Sequence, residues 1–149
     1  MIVNIKKLFL TILFTLVLSG GASAKETMLV CEYQETYFRN WDQGQFGETI
    51  KNESATKVGY FNIIQNSDQN FGFETNIRLP NLRNMKDKKF ESTVDEKYYL
   101  FQVQKDNLYI SIALDRYSGI LTTQTGHTDD NSKYLIQNFY SCKKGEQKF

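Results

Sequence analysis

Between Asn107 and Cys142 the side chains follow a period of two. Leu108, Ile110, Ile112 and Leu114 interleave with Tyr109, Ser111 and Ala113. That alternation puts four aliphatic groups on one face of a β-strand. Asp115, Ser118 and Gly119 follow with turn chemistry, Gly119 being free to take a positive φ. The β-branched run from Ile120 to Thr125 predicts the returning partner strand, and a third strand is expected from Lys133 to Cys142.

The first 24 residues read as an export signal rather than as part of the fold. Lys6 and Lys7 precede an apolar run from Leu8 to Leu18, too short to span a bilayer comfortably. Ala22-Ser23-Ala24 is a cleavage signature before Lys25. No cysteine sits at the cleavage point and no second apolar run follows, so neither a lipid anchor nor a membrane span is expected in the mature chain. Removing residues 1–24 from 149 leaves 125, which suits a single domain with a real core. Two of the 18 basic residues and none of the 17 acidic ones lie in the signal. The mature chain thus carries 16 against 17, a net charge of −1. That balance gives no general attraction to nucleic acid or to a membrane surface.

Cys31 and Cys142 are the only cysteines. In an exported chain, periplasmic or secreted, such a pair reads as one disulfide. It would close a loop of 111 residues. In the chain-entropy model that is worth on the order of 4–5 kcal/mol.

The rest of the chain supplies more strands. Thr27 to Phe38 and Lys57 to Gln65 are expected as two of them. Phe71, Phe73, Thr75, Ile77 and Leu79 alternate up to Pro80 as a third. Asn81 to Lys89 is polar and basic, with Leu82 and Met85 at helical spacing; one or two helical turns and a loop are both open there. Phe90 to Val94 and Lys97 to Gln104 predict a hairpin around Asp95-Glu96. The count of about eight strands with short connections predicts an all-β, antiparallel up-and-down barrel, with a β-sandwich as the alternative. Bridged cysteines must lie within about 7 Å of each other, so the first and last strands should be neighbours. In an eight-stranded meander such adjacency means closure.

Catalytic patterns are sparse. His127 is the only histidine, both cysteines are committed, and no metal or cofactor site is expected. His127-Thr-Asp-Asp-Asn131 offers oxygen donors without calcium-loop spacing and reads as a solvated loop. There is no nucleophile elbow and no phosphate-cradling glycine loop. Glu32, Glu35, Asp42 and Glu48 are the carboxylates in reach of a glycosidase-type pair, at a density ordinary for any soluble domain. Arg83, Lys86, Lys88 and Lys89 form a small basic patch, read as a solvated loop. Asn52-Glu53-Ser54 is a glycosylation sequon that matters only in a eukaryotic secretory pathway.

Aromatic residues are the more informative feature. Tyr37, Phe38, Trp41 and Phe46 crowd around a loop containing Gly44 and Gly47. Aromatics in loops contact ligands or partners; the alternative is a lid capping one end of the barrel. The Asp115-Arg-Tyr-Ser-Gly119 turn and the terminal Tyr140-Ser-Cys142 resemble small exported bacterial proteins of unknown function. Size and bridge are also broadly similar to periplasmic inhibitor barrels. This resemblance implies architecture and no activity. The expectation is a non-enzymatic binding protein for an unknown protein or small ligand. A small hydrolase and an accessory subunit of a cell-envelope complex are the rivals.

Overall fold

Nearly every segment of this chain alternates or is β-branched, and the fold follows from that. In the computed structural model, residues 24–40, 47–127 and 134–145 are described. They form strands β1 (Lys25–Asn40), β2 (Glu48–Ile50), β3 (Val58–Ser67), β4 (Asn70–Thr75) and β5 (Glu91–Val94). β6 (Tyr98–Lys105), β7 (Leu108–Asp115), β8 (Ile120–His127) and β9 (Tyr134–Lys144) follow. The strands run in the order β4-β3-β1-β9-β8-β7-β6-β5, with β2 added beside β1. All pairings are antiparallel. The result is one nearly closed, eight-stranded barrel-like sheet rather than two packed sheets. No helix among the described residues is long and apolar enough to cross a membrane.

The first and last strands are neighbours, as the cysteines require. Cys31 and Cys142 are register partners, bonded to each other, with Cα atoms 4.0 Å apart. The barrel is instead unlaced between β4 and β5, the two ends of the strand order. Side chains span that seam. Phe73 packs edge-on against Phe90 at 5.0 Å, and Phe71 against Tyr99 at 5.7 Å. Phe61 and Phe101 complete the aromatic cluster behind them.

β4 is shorter than its alternation predicts. Thr75 Oγ1 donates to the Tyr60 carbonyl at 2.6 Å, and Asn76 Oδ1 accepts the Tyr60 N–H at 2.7 Å. Two side chains thus take the partners that a longer strand would use, and the ladder ends. Ile77 and Leu79 still turn inward and are buried. The segment then makes a single 3-10 turn at Leu82–Met85, whose Met85 is buried. β2 arises where the sequence predicts a loop. β1 outlasts β3, whose ladder stops at the pair Glu32–Val58, and Glu48–Ile50 covers the upper part of the edge left behind.

Inward side chains stack in rows fixed by register. One row is Thr36, Asn138, Thr123, Ile112 and Phe101; another is Tyr33, Tyr140, Leu121, Leu114 and Tyr99. The wall made by β3, β4, β6 and β7 is mainly apolar, although Asn62 on β3 is buried and donates to Glu26 at 3.1 Å. The facing wall of β1, β9 and β8 carries the buried polar residues Thr36, Thr123, Thr125 and Asn138.

Candidate functional site

The connections divide the barrel into two unlike ends. At the base the turns are tight: β3 to β4, β5 to β6 and β7 to β8. Asp95 Oδ1 accepts the N–H groups of Lys97 and Tyr98, and Asp115 Oδ1 those of Tyr117 and Ser118. At the mouth the chain leaves β1 toward β3, β4 toward β5 and β8 toward β9 by longer stretches of sequence, and the short β6–β7 turn lies there too. Binding residues gather on such segments when a rigid scaffold positions them.

A polar relay forms the floor of the mouth. Asn138 is 3% exposed and Thr36 is 1% exposed, so their polar groups must be satisfied internally. Thr36 Oγ1 donates to Asn138 Oδ1 at 2.6 Å. A hydroxyl has one proton, so the 2.7 Å contact between Thr36 and Tyr33 must be donated by the Tyr33 phenol. The phenol oxygen in turn accepts the Asn52 N–H at 2.9 Å. The relay therefore runs one way, from the Asn52 backbone through Tyr33 and Thr36 to Asn138. Among the described residues the Asn138 amide nitrogen donates to Thr123 Oγ1, at 3.5 Å.

Above Asn138 lies a half-enclosed pocket of about 200 Å³, lined by Asn52, Ser54, Ala55, Arg78, Pro80, Ile136 and Asn138. The Asn52 side chain accepts the N–H and hydroxyl of Ser54, which fixes one rim. On the other rim, Thr56 Oγ1 accepts the Arg78 N–H at 2.9 Å. Asn52, Ser54, Arg78 and Asn138 share this lining with the apolar Ala55, Pro80 and Ile136, around a space the size of a small molecule. Deeper in the wall, Tyr140 is fully buried and its phenol has no partner among the described residues. Burial pushes that phenol up to about 12, with Tyr33 adding to the shift.

The aromatic candidates separate. Phe38 faces inward and is the register partner of Ile136, which lines the pocket. Tyr37 faces outward and lies against Gly47, where a side chain would run into its ring. A strand cannot present both to one surface. Trp41 and Phe46 lie outside the described residues. Of the relay residues Tyr33, Thr36, Asn52 and Asn138, Asn52 alone lies in a sequence motif, a sequon unrelated to the relay. Only Thr36 and Asn138 leave a trace, as polar residues at inward positions of apolar strands.

His127 lies at the same end, stacked on Tyr134 with ring centroids 6.0 Å apart. It lines an open cleft of about 490 Å³ that also holds Arg83, Lys86, Asp87, Lys105 and Asp106. Lys105 bonds Asp87 at 2.8 Å and holds that carboxyl below the usual range. Glu32, Glu35 and Glu48 are exposed on β1 and β2, and Asp42 lies outside the described residues, as do residues 1–23 and 128–133. Among the described residues no group of three His, Cys, Asp or Glu side chains is placed to hold a metal ion. Compared with protein-family models, curated proteins and solved structures, the chain finds no match.

Proposed function

We propose that this chain is an exported binding protein, periplasmic or secreted, that holds a small polar ligand at the mouth of its barrel without catalysing a reaction. One observation carries the reading: the half-enclosed pocket of mixed polar and apolar lining built on Asn138, a residue almost wholly withdrawn from water whose amide nitrogen makes one long bond, to Thr123, among the described residues. Keeping such a group buried costs stability unless it is hydrogen-bonded, and a ligand amide or carboxylate supplies a second, better acceptor than Thr123. Non-enzymatic action fits the titratable groups: Asp87, in the His127 cleft, is occupied by Lys105. Trp41 and Phe46, on the loop leaving β1, are placed in this reading as ligand contacts alongside Phe38, with Tyr37 on the outer side.

A screen of small carboxylates, amides and amino acids by protein NMR tests the reading. The Asn52 and Asn138 side-chain amides should shift saturably with at least one compound, and Asn138→Leu should abolish the effect. Shifts confined to other regions would refute it. Export is tested by intact mass: the mature chain should begin near Lys25 and carry no alkylatable thiol.

A second reading, docking of a protein partner as an accessory subunit would, is favoured by one other observation. Met28, Val30, Val58 and Tyr60 form an exposed apolar strip on the outer face of β1 and β3, with Val58 60% exposed. Val58→Glu should then disrupt assembly and leave folding intact.

A further inference from the structure

The outer face of β7, β8 and β9 is unlike the rest of the surface. Charged residues make up 23% of the chain. Yet none stands at the outward positions from Tyr109 to Ala113 on β7, Thr122 to Gly126 on β8, or Leu135 to Phe139 on β9. Charge begins at the margins: at Asp115, Arg39 and Lys143, at Glu35 beside Phe139, and at Lys88, Lys89 and Glu91, which line a cleft with Tyr109. An outward sheet face with no charge forgoes the usual means of staying solvated and of repelling other strands.

The neutral groups there are organised. Gln137 Nε2 donates to Gln124 Oε1 at 2.8 Å, and Gln124 Nε2 donates to the Tyr109 phenol at 2.8 Å. The chain crosses three strands and is set in one direction. The Tyr109 ring lies across Gly126, its direct register partner; a Cβ there would run into the ring. Gly126 is buried by that ring, whose other side faces outward. Ser111 and Thr122 are small neighbours that keep the face flat. Among the described residues, the phenol oxygen, the second N–H of each glutamine and the Gln137 side-chain carbonyl keep capacity for further bonds.

We infer that this face binds a neutral, linear oligosaccharide. Sugar hydroxyls both donate and accept, as primary amides and phenols do, so the match needs no charge and incurs no penalty for burying one. The apolar C–H face of a pyranose stacks on an aromatic ring that is flat and rigidly held, as Tyr109 is. The centre of this face is the hydrogen-bonded run Tyr109–Gln124–Gln137, with Leu135 and Phe139 on either side of Gln137; a folded protein partner would instead seek an apolar centre rich in large side chains. The site is separate from the mouth pocket and does not depend on it: its rows face outward, whereas Asn138 and Thr123 face in.

The test is a titration of the isotopically labelled chain with maltohexaose, cellohexaose and chitohexaose, following the Gln124 and Gln137 side-chain amides by NMR. At least one hexasaccharide should shift both amides saturably at millimolar concentration or below. Gln124→Glu should weaken that binding by at least about tenfold while leaving the remaining spectrum in place, and Tyr109→Ala should weaken it as well. Absence of a saturable shift with all three sugars would overturn the proposal. So would undiminished binding by both variants. Shifts of the same amides on raising protein concentration alone would also overturn it, and would assign the face to a second copy of the chain.

Discussion

The carbonyl of Gly119 accepts the N–H of Cys142 at 2.8 Å, so the turn after β7 is tied to the bridged end of β9. Gly119 has φ +71°, and a Cβ on it would sit 2.6 Å from the Cys142 carbonyl oxygen. Two features far apart in their reading, a turn glycine and a terminal cysteine, are thus one joint at the base. Gly119→Ala should cost roughly 2–4 kcal/mol, from left-handed backbone strain and the forced contact. Gly72→Ala is the control. Its nearest neighbour is 3.8 Å from the new methyl, and the change should stay within about 1 kcal/mol. Urea unfolding of both variants measures the difference.

The two faces of β7 give a second contrast. Ile112 is fully buried, whereas Ser111 points outward. Ile112→Ala should cost about 2–5 kcal/mol. Ser111→Ala should change stability by no more than about 0.5 kcal/mol. Equal losses in chemical denaturation would contradict the single-walled barrel.

Thr36 is the middle of the polar relay. Thr36→Val keeps the shape and removes the hydroxyl, leaving the Tyr33 proton and Asn138 Oδ1 without their partner. The expected loss is about 1–3 kcal/mol. Thr36→Ser keeps the hydroxyl and gives up one methyl, about 0.8 kcal/mol. Thermal unfolding of the pair separates relay from packing. A serine variant as unstable as the valine one would show that the relay contributes nothing.

Stability should fall at both ends of the pH scale for identifiable reasons. The Asp95 carboxyl is held below its ordinary value by the N–H groups of Tyr98 and Lys97, and Asp115 by those of Ser118 and Tyr117. A depressed folded value means stability that is present above the ordinary carboxylate range, near pH 4, and lost as pH falls through and below it. Asp115→Asn should flatten the acid limb of a stability–pH curve. Tyr140 acts with the opposite sign. Its folded value is raised to about 12 from about 10 in the unfolded chain. Its contribution is intact below pH 10 and lost as pH rises toward 12. Tyr140→Phe removes a phenol that has no partner among the described residues, so it should be nearly neutral at pH 7 and reduce the alkaline loss.

Most of the strand content was legible because it is a local property. Period-two alternation is written residue by residue, so β7, β8, β6 and β3 fall where their side chains place them. The bridge between first and last strands was legible too, since two cysteines allow one pairing. Where the barrel stays unlaced was not. β4 ends because Thr75 and Asn76 find Tyr60, fifteen and sixteen residues back, and nothing in the alternation through Leu79 reports that competition. The mouth site was equally hidden. Asn52, Thr36 and Asn138 are separated by up to 102 residues and meet only because register brings β1 and β9 side by side. Tyr37 and Phe38 show the converse: adjacent in sequence, they are driven to opposite sides of one wall by the pleat. Sequence by itself determined most of the strands and that the first and last of them would be stapled. Only the tertiary structure decided which polar side chains would share a buried space, because that depends on register and closure, which are properties of pairs of strands rather than of any one of them.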